Sequence, residues 1–288
     1  MGLLLLLSFA ALPGIAGGST PCTLPPSVDI AVYAVEGWGG AGSTSVSWTR
    51  SFFSWLSGAN PGLSVGYVTN ASEISSYPAS GCPLASLKRL KLWVQPGGSA
   101  NNFTLSLGPG GRDNIQDFAA SAQGHLLATC AGFYYMAGSY WWQDSFFPVA
   151  DSPHYFPTVE GPIAAIAAYP AYAPVQLSDG RTVLYWGGPT LGLQHTAPSV
   201  PNGGAQLAAF ATPALPRPLG AAYSYTGQGV RALLSTAHPE AVAGVGIACA
   251  PPLPAGCLTP AQQLRNWQWL AEQINALLSQ QYAVPGQL

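Results

Sequence analysis

The sequence predicts an α/β fold in which a mostly parallel sheet is flanked by helices. Short apolar runs typical of buried strands alternate with helical patterns in the first half of the chain. One apolar run, at 126–129, leads directly into a helix that begins near Ala131. Residues 158–225 instead show short strands separated by turns, which predicts an antiparallel extension before a parallel strand resumes at Val230.

The length and composition of the chain restrict its organisation and its partners. Its 288 residues suffice for one large α/β domain or two small ones, and without repeats or long linkers we expect residues 19–288 to form one domain. Hydrophobic residues make up 48% and charged residues 7%, with a formal net charge of −2. This composition argues against disorder, and the lack of a basic patch argues against a nucleic-acid partner.

Residues 1–18 have the composition of a secretory signal peptide. The apolar run 3–11 is followed by Pro13 and by small residues up to Gly18. Because no Lys or Arg precedes the run, an N-terminal membrane anchor is the alternative interpretation. The run is short for a bilayer span, which favours cleavage and predicts a protein that is secreted or lies in the secretory pathway or periplasm, without membrane attachment.

The elements before residue 124 predict the first half of the sheet. Strands are expected at 29–35, 63–68 and 90–94. Helices are expected at 43–56 and at 112–123, and Asp113 is expected to cap the second helix. The Gly-rich loop 36–42 lacks the Lys of a phosphate loop, but a loop that follows a strand can line a pocket.

Residues 124–135 contain the candidate nucleophile. Cys130 lies between strand and helix, and the small residues Ala128, Ala131 and Gly132 permit a sharp bend there. The helix N-terminus supplies free N–H groups and the positive end of a dipole, which favour a thiolate. This is the arrangement of a nucleophile elbow with Cys in place of Ser, and the alternative is a buried structural cysteine.

A candidate general base follows the strand that begins at Val230. His238 lies just beyond this strand, and Glu240 can orient its ring and stabilise the imidazolium. A His–Glu pair at the surface is also common, and in that case His238 would only cap the strand end. The turn at Gly97 and Gly98, after the third strand, can aim backbone N–H groups at one point, or it is an ordinary tight turn.

The second half of the chain is rich in aromatic residues and ends in a helix. Short strands are expected at 159–166, 182–186, 205–212 and 221–225. Glu160 and Tyr185 are the polar groups of this region that we expect to face the site. Residues 259–262 form a capping box, and the helix that follows is expected to pack on the sheet or, alternatively, to bind a partner.

The chain contains an odd number of cysteines. They are Cys22, Cys82, Cys130, Cys249 and Cys257. In an oxidising compartment four would pair and one would stay free. Because Cys249 and Cys257 flank a Pro-rich loop, we expect them to pair, and we expect Cys22 to pair with Cys82. Cys130 then stays reduced and available as a nucleophile.

Two sequons mark candidate glycosylation sites, although such triplets also arise by chance. They are at Asn70 and Asn102. The histidines of the chain show no metal-ligand spacing, so no metal site is predicted. They are His125, His154, His195 and His238.

Together these motifs resemble those of the class I glutamine amidotransferase-like superfamily, whose triad combines a Cys at an elbow with a His-x-Glu. The closer resemblance is to the biotin-protein ligase N-terminal domain family, which shows a P-G-G turn, a C-A-G-x-Y elbow, a G-G-P turn and H-P-E, in that order. In this chain the four motifs lie at 96–98, 130–134, 187–189 and 238–240. The superfamily elbow usually has Gly at the position of Ala128, which is small enough to leave the bend possible.

The resemblance implies a Rossmann-like (flavodoxin-like) fold and a triad of Cys130, His238 and Glu240. It also implies that the turn at Gly97 and Gly98 supplies oxyanion donors, to which we add the N–H of Ala131, the residue after the nucleophile.

We therefore hypothesise a secreted, cysteine-dependent amidohydrolase or amidotransferase-like protein that acts on a small-molecule or peptide amide. Acyl transfer to water needs no cofactor. The alternative hypothesis is a non-catalytic ligand-binding protein on the same fold, because fold and function are separable. The sequence specifies neither the substrate nor the oligomeric state.

Overall fold

The computed structural model describes residues 22–156, 158–198, 200, 204–213, 215, 217–227, 229–244 and 257–286. The signal peptide predicted at 1–18 and the predicted disulfide cysteine Cys249 lie outside these ranges. Within the described ranges, no helix has the length and hydropathy that a membrane span requires.

Helices and strands alternate through the first half of the described chain, and strands dominate the second half. The helices are α1 (Ser43–Gly58), α2 (Ser72–Ser75), α3 (Ala100–Ala120), α4 (Ala131–Met136) and α5 (Pro260–Leu278). The strands up to residue 148 are β1 (Ile30–Tyr33), β2 (Val65–Val68), β3 (Leu92–Gln95), β4 (His125–Thr129), β5 (Ser139–Trp142) and β6 (Ser145–Pro148). The later strands are β7 (Val159–Gly161), β8 (Ala173–Gln176), β9 (Thr182–Tyr185), β10 (Ala205–Ala209), β11 (Gly220–Tyr225) and β12 (Arg231–Ser235).

The central sheet has seven strands in the order β10-β11-β12-β4-β3-β1-β2. The five strands from β12 to β2 pair in parallel, whereas β11 and β10 continue the sheet in antiparallel fashion. Counted along the parallel strands, the order is that of a flavodoxin-like sheet. The predicted α/β fold with a mostly parallel sheet and an antiparallel extension is therefore confirmed.

Both faces of the sheet are covered, as a parallel sheet requires. Side chains alternate along β1, so that Ala31 and Tyr33 pack on one face with α3 and α4. Ile30 and Val32 pack on the other face with α1 and α5. The apolar strand runs seen in the sequence are continuous for this reason, and the strand ends are the parts of the sheet left for a site.

The carboxyl ends of β1 and β3 form a topological switch point, because the chain continues to opposite sides of the sheet from these neighbouring strands. Ligand sites of such sheets lie in the crevice at this position. The loops after the two strands are joined by backbone hydrogen bonds, from Gly42 N to Gly97 O at 2.9 Å and from Ser99 N to Gly40 O at 2.8 Å. The Gly-rich loop 36–42 thus lies beside the Gly97 turn.

The helix predicted at 112–123 begins earlier than expected. α3 starts at Ala100, and the side chain of Ser99 accepts a hydrogen bond from Asn102 N at its N-terminus. A kink at Gly108, with φ 54° and ψ −165°, divides the helix. The Gly and Pro residues around this kink are typical of a loop sequence, which is why the first part of the helix was not predicted. Asp113 lies inside the helix and accepts a hydrogen bond from Arg112 Nε, so its assignment as the cap was wrong.

The region 158–225 is more divided than the sequence indicated. Among the described strands of this region, only β10 and β11 extend the central sheet, whereas β8 and β9 form a separate antiparallel pair. β7 pairs in parallel with β5, and β5 and β6 form a hairpin that the sequence analysis did not predict.

The last helix agrees with its sequence signature. Thr259 and Gln262 form the predicted capping box, and Pro260 is the first helical residue. The buried side chains of α5 pack on the sheet as expected, whereas Leu264 of the same helix is 40% exposed.

Cys22 and Cys82 form a disulfide across 60 residues of sequence. Cys130 is a free, buried cysteine. Cys257 is also disulfide-bonded, and its predicted partner Cys249 lies outside the described residues.

Replacing both Cys22 and Cys82 by Ser should lower the free energy of unfolding by about 4 kcal/mol. The reason is that the unfolded chain gains conformational entropy when a crosslink that closes a loop of this length is removed. Urea titration of both proteins measures the change, and peptide mapping without reductant checks the bond. An unchanged unfolding free energy would argue against a stabilising disulfide.

Candidate active site

Cys130 occupies a strained bend between β4 and α4. Its backbone has φ 50° and ψ −112°, an uncommon conformation for a non-glycine residue that costs on the order of 1–3 kcal/mol. Its N–H donates to Ser235 O on β12 at 2.8 Å, which fixes the bend to the neighbouring strand. The strand-to-helix junction expected at Cys130 is thus present, and the α4 N-terminus begins at the next residue.

The glycine that follows in the same motif has a packing role. A Cβ built on Gly132 would lie 2.2 Å from Gln95 O, so only glycine lets α4 approach the end of β3 this closely. The aromatic residues after it, Tyr134 and Tyr135, are both buried.

His238 and Glu240 form a buried hydrogen-bonded pair. His238 Nδ1 lies 2.9 Å from Glu240 Oε1, and the two side chains are 1% and 3% exposed. The backbone N–H of His238 donates to Leu184 O at 2.8 Å, and the ring of Trp48 packs edge-on against the imidazole. This arrangement excludes the alternative of a solvated His–Glu pair at the surface.

The second ring nitrogen of His238, Nε2, lies on the side of the imidazole opposite Glu240, toward Cys130. Nε2 is buried and has no partner of ordinary hydrogen-bonding geometry among the described residues. Cys130 is nevertheless close enough to His238 to contribute to the raised pKa of the imidazole. Cys130 Sγ itself donates to Trp186 O at 3.3 Å. The thiol and the imidazole are therefore neighbours, although the thiol hydrogen bonds to a carbonyl group.

The pKa of His238 reflects two opposing effects. Burial is the largest single influence and lowers it, but Glu240, through its charge and its hydrogen bond to Nδ1, and the adjacent Cys130 together raise the pKa to about 10. At neutral pH the ring is therefore an imidazolium. Such a cation stabilises a negative charge on an adjacent sulfur.

Glu240 is held by two hydroxyl groups that were not predicted from the sequence. Its Oε1 accepts from Thr129 Oγ1 at 3.2 Å and from Ser45 Oγ at 3.4 Å, in addition to the bond from His238. Trp267 Nε1 donates to the backbone carbonyl of Glu240 at 3.1 Å. Nothing in the local sequence marks these residues, except that Thr129 immediately precedes Cys130.

Gly97 lies too close to its neighbours to carry a side chain, and its N–H already donates a hydrogen bond within the protein. A Cβ at this position would lie 2.8 Å from His238 Cε1 and 3.3 Å from Cys130 Cβ. Its N–H donates to Ser45 Oγ at 2.9 Å, so it is not available to an oxyanion as the sequence analysis expected. The N–H groups of Gly98 and Ala131 have no hydrogen-bond partner in the described part of the chain and remain the candidate donors.

Two cavities open beside Cys130. The first, which we name the polar cavity, has a volume of about 540 Å³ and is lined by the loop after β1, the start of α1, residues 97–99, Cys130, Tyr169, Trp186 and His238. The second, which we name the aromatic cavity, has a volume of about 260 Å³. Its wall includes Cys130, Ala131, Tyr134, Tyr140, Trp142 and Phe147. These volumes suit small-molecule groups.

Glu160 and Tyr185, the other residues expected to face the site, line neither cavity. Glu160 Oε2 accepts from the N–H groups of Gln194 and His195, and Tyr185 OH donates to Gly188 O. Both are buried structural groups, so the expectation that they face the site was wrong. Within the described ranges, no group of His, Cys, Asp and Glu side chains is arranged to hold a metal ion.

Comparison with known proteins gives fold-level similarities. No model of a protein family matches the sequence, and no curated protein does. A crystal structure of a glutamine amidotransferase is similar with a TM-score of 0.47 and 16% identity, covering 73% of this chain and 90% of that chain. A ThuA-like protein from Bacteroides uniformis ATCC 8492 is similar with a TM-score of 0.44 and 10% identity, covering 74% and 82%.

The imidazole of His238 should titrate only near pH 10, and Glu240→Gln should lower its pKa, because burial then acts against a smaller opposing charge. The stabilisation linked to the raised pKa is full below about pH 6.5, the unfolded value, and is lost as pH rises through about 10. Histidine NMR measures both titrations. His125, whose pKa burial lowers, is the internal control, and titration of His238 below pH 7 in the wild type would contradict this account.

Proposed function

We propose that the protein is a cysteine-dependent acyl-transfer enzyme that cleaves an amide C–N bond, with Cys130 as nucleophile. The observation that carries this proposal is the buried His238–Glu240 pair beside a cysteine in a strained strand-to-helix bend. The order of the motifs supports a relationship to the biotin-protein ligase N-terminal domain family, and the Cys22–Cys82 disulfide supports a secreted protein. Asn70 and Asn102 are then candidate glycan acceptors.

In the first step the sulfur of Cys130 attacks the carbonyl carbon, and an S–C bond forms while the thiol proton is held by His238. The carbonyl oxygen gains negative charge in the tetrahedral intermediate. Donors fixed before the reaction stabilise such a charge more effectively than mobile solvent does. The unpartnered N–H groups of Gly98 and Ala131 are the groups proposed for this role.

The intermediate then collapses with loss of the amine. The C–N bond breaks, His238 Nε2 gives its proton to the leaving nitrogen, and a thioester remains on Cys130. Water, or an acceptor amine, attacks the thioester while His238 accepts a proton, and the S–C bond breaks with return of that proton to the thiol. With water, the net reaction converts amide and water into acid and amine.

Glu240 serves this cycle by keeping the imidazole in one orientation and one tautomer. Because Nδ1 hydrogen bonds to Glu240 Oε1, the ring presents Nε2 toward Cys130 in every protonation state. Ser45 and Thr129 are positioning residues, since they contact the carboxylate and not the reacting atoms.

A non-catalytic ligand-binding protein is the second candidate, and one observation favours it. Cys130 is only 7% exposed, and its Sγ donates to Trp186 O. In a binding protein this thiol would be inert, whereas in an enzyme it must leave the carbonyl group and react.

Iodoacetamide should alkylate Cys130 in the folded wild-type protein at neutral pH, because the adjacent imidazolium stabilises the thiolate. His238→Asn should slow the alkylation on the order of tenfold, because the thiolate fraction falls when the adjacent cation is removed, while the amide still donates to Glu240. Intact-mass spectrometry followed over time measures both rates.

Cys130→Ala is the control for labelling elsewhere, and melting temperatures show whether each variant is folded. A wild-type thiol that stays unlabelled until the protein unfolds would support the binding protein and exclude the enzyme.

A further inference from the structure

The two cavities meet at Cys130 but differ in their access to the general acid. His238 lines the polar cavity and does not line the aromatic cavity. In the proposed function the leaving nitrogen takes its proton from His238, so it must depart on the side of the polar cavity. The acyl group, which stays bonded to Cys130, is then directed into the aromatic cavity, where Ala131 contributes to the wall.

The wall of the aromatic cavity is built from interacting rings. The ring of Tyr134 lies 4.9 Å from that of Tyr140 and 5.7 Å from that of Trp142, measured between centroids. Tyr140 and Phe147 stack with centroids 5.3 Å apart and an interplanar angle of 18°. Such faces and edges favour a further aromatic ring placed among them.

Apart from Cys130, the described residues that line the aromatic cavity carry no charge at physiological pH. None of the described residues that line it is an Asp, Glu, Lys or Arg. Burial raises the pKa of Tyr134 well above its usual value, and burial also raises that of Tyr140, so both phenols stay neutral. A charged acyl group would be desolvated here without a partner, which is unfavourable.

The polar cavity differs from the aromatic cavity in two ionisable side chains that line it, Glu36 and His238. Glu36, an exposed carboxylate after β1, lines it together with the glycines of the loop and the first turn of α1. A leaving amine with a second, cationic group is compatible with the Glu36 carboxylate on this side.

We infer, on the basis of the proposed function, that the acyl half of the substrate is an uncharged group with an aromatic ring that binds in the aromatic cavity. Acyl groups that carry an ammonium and a carboxylate, as the acyl part of free glutamine does, are disfavoured. The amine half lies in the polar cavity.

The β5–β6 hairpin provides a matched pair of variants. Phe147 pairs with Tyr140 and lines the aromatic cavity. Its neighbour Phe146 pairs with Trp141, is 51% exposed and does not line the cavity. Since successive residues of a strand point to opposite faces, Phe146→Ala controls for loss of an exposed ring from the same strand.

The experiment compares 4-nitrophenyl esters that share a leaving group and differ in the acyl part. The 3-phenylpropanoyl ester should acylate Cys130 with a kcat/KM about tenfold or more above the acetyl ester, and the anionic succinyl ester should react most slowly. Phe147→Ala should remove most of the 3-phenylpropanoyl preference, because it lowers the 3-phenylpropanoyl rate far more than the acetyl rate. Phe146→Ala should leave all three rates unchanged.

Equilibrium binding to Cys130→Ala separates this inference from the proposed function. Calorimetry should show that 3-phenylpropanamide binds, that acetamide binds far more weakly, and that adding Phe147→Ala weakens the first interaction. Equal binding of both amides, or equal acylation by all three esters, would overturn the aromatic acyl site even if Cys130 is acylated. Selective binding without any acylation of the wild type would support the site and reject the nucleophile.

Discussion

One oxygen atom, Oε1 of Glu240, organises the candidate active site. It accepts hydrogen bonds from His238 Nδ1, Thr129 Oγ1 and Ser45 Oγ, which belong to three different parts of the chain. A carboxylate is costly to bury unless such donors surround it, so these contacts constrain one another. The Ser45 hydroxyl also accepts from Gly97 N, which links the carboxylate to the turn after β3.

The parallel sheet makes this convergence possible. β3, β4 and β12 are neighbours, and their carboxyl ends bring the Gly97 turn, Cys130 and His238 to one edge. The register between β12 and β4 also fixes the position of Cys130. Ser235 pairs with Thr129, and the carbonyl oxygen of Ser235 accepts a hydrogen bond from the N–H of Cys130. On the far side, α5 supports the site through the bond from Trp267 to the Glu240 carbonyl. The site therefore depends on sheet order more than on any single loop.

The sequence revealed the parts of this site that are local, and it missed the parts that are not. The bend at Cys130 and the His–x–Glu motif have short-range signatures, and so do the strands and the α5 capping box. Ser45 lies 195 positions from Glu240, so its role appears only when α1 and the strand ends are assembled. The hydrogen bond from Gly97 N–H to the Ser45 hydroxyl could not be predicted either, because it depends on the same long-range contact. The kink at Gly108 hid the start of α3, because Gly and Pro normally mark loops.

A double-mutant cycle on the alkylation rate of Cys130 tests most directly whether His238 and Glu240 act as one unit. The four proteins are the wild type, His238→Asn, Glu240→Gln and the double variant, all compared at neutral pH. If Glu240 acts through the imidazole, Glu240→Gln slows alkylation in the wild-type background and has no further effect in the His238→Asn background. Equal fold-changes in both backgrounds would show independent effects and contradict the account.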